Sequence, residues 1–142
     1  MAPGILVRDV ALERSPVSGG PARVRVRDAG RGPAVTILHG GWGYRVYPYD
    51  VQVATLAARQ RVVAPDRIGY GGSTHLDAVP PRHQERMAEE TIQTLDAIGI
   101  ERAALWGHSD GAVVAAWCAI RWPDRVRALV LEALHYHCWK PG

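Results

Sequence analysis

AALWGHSDGAVVAAWCAIRW, residues 103–122, is the stretch that decides the fold. A short apolar run, Ala103 to Trp106, meets Gly107-His108-Ser109-Asp110-Gly111, and a small-residue apolar stretch then continues to Pro123. The first run has the length of a strand buried on both faces. The later stretch has helical length, and Pro123 ends it. Between them, G-x-S-x-G describes a chain that turns sharply from strand to helix, with Ser109 at the tip in a strained backbone conformation. Side chains two residues to either side would collide, so both positions are glycine. The turn lifts the serine hydroxyl above the sheet, and the helix aims its positive end at the same place. Chance alone puts this pattern into roughly 5% of chains of such length. The flanking strand and helix therefore carry the argument.

Working outward, residues 34–38 (AVTIL), 61–65 (RVVAP) and 126–131 (VRALVL) read as three more buried strands. Residues 50–59 (DVQVATLAAR) and 82–98 (RHQERMAEETIQTLDAI) read as helices. In the second helix Met87, Thr91, Leu95 and Ile98 share one face, and Gly99 supplies the stop. Residues 5–13 and 22–28 read as strands joined through Ser18-Gly19-Gly20-Pro21, which is turn chemistry. Arg23, Arg25 and Arg27 alternate with apolar neighbours, as on a strand with one wet face. From residue 34 onward, strands and helices alternate. That order predicts an α/β fold: a mostly parallel sheet with right-handed crossovers and helices on both faces. A single domain over residues 1–142 is expected, with no internal repeat.

Composition narrows the function classes. With 47% hydrophobic and 22% charged residues, the chain is not of the disordered class. The net charge of +3 is spread out, apart from the one short arginine stripe, so no nucleic-acid partner is expected. Cys118 and Cys138 form neither a disulfide framework nor a metal-ligand spacing. Cys118 lies in an apolar helical run and is expected to be buried and inert. No stretch approaches about 18 apolar residues, and the N-terminus lacks an apolar leader. No membrane partner is expected, and a cytoplasmic location is the default.

Two further segments sit where acyl chemistry needs them. His39-Gly40-Gly41-Trp42-Gly43 directly follows the 34–38 strand, and Asp66-Arg67-Ile68-Gly69-Tyr70-Gly71-Gly72-Ser73 follows the 61–65 strand. Acyl transfer requires two backbone N–H groups converging on the developing oxyanion. One would be the N–H of Asp110, the other an N–H of the glycine loop at Gly41 or Trp42. The ordered set HGGWG, DRIGYGGS and GHSDGA, with RVRALVLEA at 125–133, resembles the α/β-hydrolase superfamily, in its serine esterase and C–C hydrolase-like branch. The resemblance covers about residues 20–135. It implies Ser109 as the nucleophile of an acyl-enzyme, a small-molecule ester or related carbonyl substrate, and the oxyanion donors just named. No metal or organic cofactor is implied, because this chemistry needs only protein groups and water. A serine here departs from the dehalogenase and epoxide-hydrolase branches, which share the fold but use an aspartate.

The superfamily order runs serine, acid, histidine along the chain. Here 33 residues follow Ser109, and one helix and one strand consume most of them. No later acid or histidine matches the pattern, so the resemblance implies an N-terminal portion, without the late strands and cap. A serine hydroxyl lacking its base is a poor nucleophile, so independent activity is expected to be weak. The sheet edges that the later strands would cover are expected to be exposed and to favour self-association. The rival reading is a non-catalytic module of the same fold that binds a ligand or a partner chain.

The remaining polar and aromatic residues have plainer readings beside the functional ones. His39, Tyr70 and His108 are substrate-pocket candidates, yet His39 also reads as a support for the glycine loop and His108 as a packing residue. Trp42 and Tyr70 read equally as pocket wall or surface packing. Asp66 and Arg67 read as loop-fixing residues, and Trp106, Trp117 and Trp122 as core. His75 and His83 have no evident partner. His135 and His137, just past the last strand, share its rim with Ser109 but do not correspond to the superfamily histidine. Glu132 ends that strand, where some lipase-like members carry the acid.

Overall fold

The computed structural model describes residues 4–135. Strands β1 (Leu6–Leu12) and β2 (Ala22–Ala29) form an antiparallel pair, with Val10 opposite Val24. Then follow β3 (Ala34–Leu38), α1 (Gly43–Val46), α2 (Asp50–Leu56), β4 (Arg61–Pro65), α3 (His83–Ala97), β5 (Ala103–His108), α4 (Asp110–Arg121) and β6 (Val126–Glu132). The six strands make one mixed sheet in the order β1-β2-β4-β3-β5-β6. β4, β3, β5 and β6 are mutually parallel, and β2 joins β4 antiparallel.

The apolar patterning accounts for this arrangement. Every residue of β3 is buried, as is β4 after Arg61, which suits central strands covered on both faces. One face of the sheet packs on α3 and α4 through Met87, Ala88, Ile92, Leu95, Val114 and Ala115. The other packs on α1 and α2 through Tyr44, Tyr49 and Val53. Each such fully buried aliphatic side chain contributes about 1.5–3 kcal/mol. Small residues on α4 let it close on α3, and the Cys118 thiol reaches the Ala88 carbonyl at 3.5 Å. Cys118 is buried as expected, and burial pushes its thiol up to about 12. Cys138 and His137 lie outside the described residues.

On β2 the arginines do alternate with buried Val24 and Val26. Arg25 bonds Asp9 of β1 at 2.9 Å, and Arg27 bonds Asp66 at 2.7 Å. Gly99, at φ 75°, stops α3. Two short elements had no sequence signal, α1 and a 3-10 turn at Pro123–Arg125. No helix among the described residues is long and apolar enough to cross a membrane.

One expectation is corrected. The 126–131 segment is a strand, but not a buried one. β6 is the outer strand of the sheet, with Leu129 38% and Val130 50% exposed. Its composition is apolar enough for the interior, but only β5 pairs with it among the described residues.

Candidate active site

The chain runs from β3 to β4 on one side of the sheet and then returns to place β5 on the other side of β3. That reversal makes the carboxyl ends of β3 and β5 the topological switch point, the place where open α/β sheets bind ligands. The loop after β3 carries His39 to Trp42, and Ser109 stands at the end of β5.

Ser109 has φ 53° and ψ −117°, a conformation that costs a non-glycine residue about 1–3 kcal/mol. Its surroundings hold it there. Its N–H donates to the Glu132 carbonyl at 2.8 Å, and its carbonyl accepts from the Ala112 N–H at 2.9 Å. A Cβ added at Gly107 would lie 2.3 Å from the Gly111 carbonyl oxygen. One added at Gly111 would lie 2.1 Å from the Leu38 carbonyl oxygen. Both flanking glycines are thus required by backbone contact. A Cβ at Gly40 would come within 3.3 Å of the Ser109 Cβ, so the glycine loop lies directly against the serine.

The loop closes as a tight turn, the Gly43 N–H donating to the Gly40 carbonyl at 3.1 Å. Among the described residues neither the Gly41 nor the Trp42 N–H donates to another backbone group. The Asp110 N–H opens α4, where the first amides have no partner within the helix. Unbonded backbone donors therefore occur in both segments that adjoin the serine. The Trp42 side chain is 81% exposed.

His39 is fully buried, and both ring nitrogens are occupied. Its Nδ1–H donates to the Gly40 carbonyl at 2.8 Å, and Nε2 accepts the Arg67 N–H at 3.0 Å. Burial, then the Arg67 charge, lowers its pKa to about 4, so the ring is neutral. His39 supports the loop and offers a bound molecule no free polar atom. Tyr70 meets the His39 ring edge-on, with centroids 4.7 Å apart, and keeps part of its surface exposed. His108 stacks on Tyr47, its centroid 4.8 Å from the Tyr47 ring with the planes 6° apart. Its Nδ1 lies 4.0 Å from Glu132 Oε1, which accepts the Trp106 indole N–H at 2.7 Å.

Asp110 turns its carboxylate away from solvent into a polar cluster. Arg67 Nη1 donates to Oδ2 at 2.8 Å and Gln84 Nε2 to Oδ1 at 3.0 Å. His83 approaches Oδ1 to 3.7 Å, a partner that its sequence position did not disclose. Burial works to raise the Asp110 carboxyl, but the Arg67 charge and these bonds outweigh it and hold the group below its ordinary value. Asp66 fixes its own loop, accepting from Arg27 and from the Gly72 N–H at 2.9 Å. Among the described residues no histidine hydrogen-bonds to the Ser109 hydroxyl, His135 included.

Comparison with known proteins agrees with this geometry. The family model described as alpha/beta hydrolase fold matches residues 33–139. Epoxide hydrolase A of Mycobacterium tuberculosis is 38% identical over 109 residues, covering 75% of this chain and 34% of the relative. A 2-hydroxymuconate semialdehyde hydrolase of a Pseudomonas species is 36% identical over 111 residues, covering 77% and 39%. A thermophilic esterase from Thermogutta terrifontis, solved with malate bound, superposes with a TM-score of 0.77 at 27% identity. That alignment covers 86% of this chain and 44% of the esterase. The chain thus spans between about a third and under half the length of these proteins. With strained serine, glycine loop and sheet order all in place, it belongs to the alpha/beta hydrolase family.

Proposed function

We propose that this chain carries the nucleophile and oxyanion half of a serine hydrolase site for a small ester or related carbonyl substrate. Ser109 Oγ adds to the carbonyl carbon. The resulting oxyanion is held by the N–H of Asp110 and by that of Gly41 or Trp42. Collapse expels the leaving group with a proton, and water then hydrolyses the acyl-enzyme to acid and free serine. The observation that supports this best is the Ser109 backbone at φ 53°, bracketed by glycines that no side chain can replace.

Chemistry separates a carbonyl substrate from an epoxide. A serine that opened an epoxide would become a stable ether, whereas an aspartate would form a hydrolysable ester. The hydroxyl at position 109 therefore favours acyl transfer, although relatives named as epoxide hydrolases match the chain. No base contacts the hydroxyl among the described residues, so we expect the chain alone to turn over slowly. The test compares the parent with Ser109→Ala, using a small activated ester and a fluorophosphonate probe. Labelling and turnover confined to the parent are expected. Equal values in both would remove Ser109 from the mechanism.

The exposed β6 edge favours a second reading, a non-catalytic module that pairs with another chain or another copy of itself. It predicts no labelling, together with a sedimentation coefficient that rises with concentration.

A further inference from the structure

The glycine loop and the first turn of α4 come from distant parts of the sequence, yet their amides must face one oxygen. Beyond the β3–β5 ladder, which ends at Leu38 opposite Gly107, no backbone hydrogen bond among the described residues joins them. Arg67 does. Its side chain is only 2% exposed. Nε donates to the His39 carbonyl at 3.1 Å, while Nη1 donates to Asp110 Oδ2 at 2.8 Å. The Arg67 backbone N–H also donates to His39 Nε2 at 3.0 Å. One planar fork is therefore bonded to both the glycine-loop segment and the start of α4.

We infer that Arg67 is a positioning residue, spacing the two sets of oxyanion amides by holding the His39 carbonyl and the Asp110 carboxylate at once. The inference rests on the acyl-transfer reading above. Two observations favour a geometric role over a stabilising one. Nη2 of Arg67 is buried without a partner among the described residues, a costly arrangement that an apolar residue would avoid. Moreover, only a fork can make both bonds; a lysine ammonium is a single point on a flexible stem.

The test uses the whole chain carrying Arg67→Met, Arg67→Lys or Asp110→Asn. Fluorophosphonate labelling reports on Ser109, and amide hydrogen exchange reports on residues 39–43 and 110–112. Arg67→Met should label to the parent's end point but about a hundredfold more slowly, the cost of an ångström-scale misplacement. Exchange at Gly43, whose N–H closes the loop on the Gly40 carbonyl, should accelerate while the Leu105 amide in β5 stays protected. Arg67→Lys should restore only part of the rate. Parent-like rate and exchange in Arg67→Met would overturn the proposal. So would a lower end point at unchanged rate, which marks a smaller folded fraction. Should Arg67→Met not fold, unchanged exchange over 39–43 in Asp110→Asn would overturn it equally. If the parent is not labelled, the Ser109 reading fails and exchange alone decides the role of Arg67.

Discussion

β5 and β6 lie side by side in the sheet, run parallel and have similar apolar content, yet they live in different environments. In β5, Ala103 and Leu105 are buried; in β6, the residues from Arg127 to Val130 are exposed. Helices cover β5 and strands flank it on both sides, whereas among the described residues β6 is paired on one side only. The difference teaches that an apolar run specifies a strand, while burial is decided by the neighbours that arrive from elsewhere. β6 nonetheless serves the site, because its last residue, Glu132, accepts the Ser109 N–H.

The comparison can be broken most forcefully where β5 hands over to α4. Gly111→Ala places a methyl group 2.1 Å from a backbone oxygen, and we expect a loss of about 4 kcal/mol or more, enough to prevent folding. Gly41→Ala, with open space around it, should change stability by less than about 1 kcal/mol. Circular dichroism with urea titration measures both. Equal effects would mean that the elbow is not closely packed.

Next in size, Leu105→Ala in β5 should cost about 3 kcal/mol and Leu129→Ala in β6 under about 1 kcal/mol, read as a shift in the urea midpoint. A third change probes how far burial extends on the α3 side. Glu90 is 3% exposed. Burial pushes its carboxyl up to about 7, against the opposing bonds from the Ser15 hydroxyl and the Ile68 N–H. The native state then holds a proton that the unfolded state releases near 4.5. Stability from this group is full below that value and is lost as pH rises through about 7. Glu90→Gln should therefore be more stable than the parent by about 3 kcal/mol at pH 8, with the gap closing toward pH 5. A gap independent of pH would refute the assignment. The smallest change in stability, within about 0.5 kcal/mol, is expected for Val130→Lys on the open edge. That variant should also reduce any concentration-dependent association seen by sedimentation.

Much of the architecture was legible in residue patterns. All six strands and the three longer helices follow from apolar period, glycine and proline. The elbow was legible because sterics leave few choices at Gly107, Ser109 and Gly111. The four-residue α1 carries too little periodicity to be seen. The network of Arg67, His39, Asp110, Gln84 and His83 was not visible as a network, since its members lie far apart in sequence and meet only through tertiary folding. The exposure of β6 was missed for the same reason.

The bond from Ser109 to Glu132 has a mechanical side. Ser109 is anchored to an edge strand of the described sheet, at that strand's last residue. Any displacement of that strand is passed to Ser109 through a single amide. The position of Ser109 and the position of the sheet's rim are therefore mechanically linked.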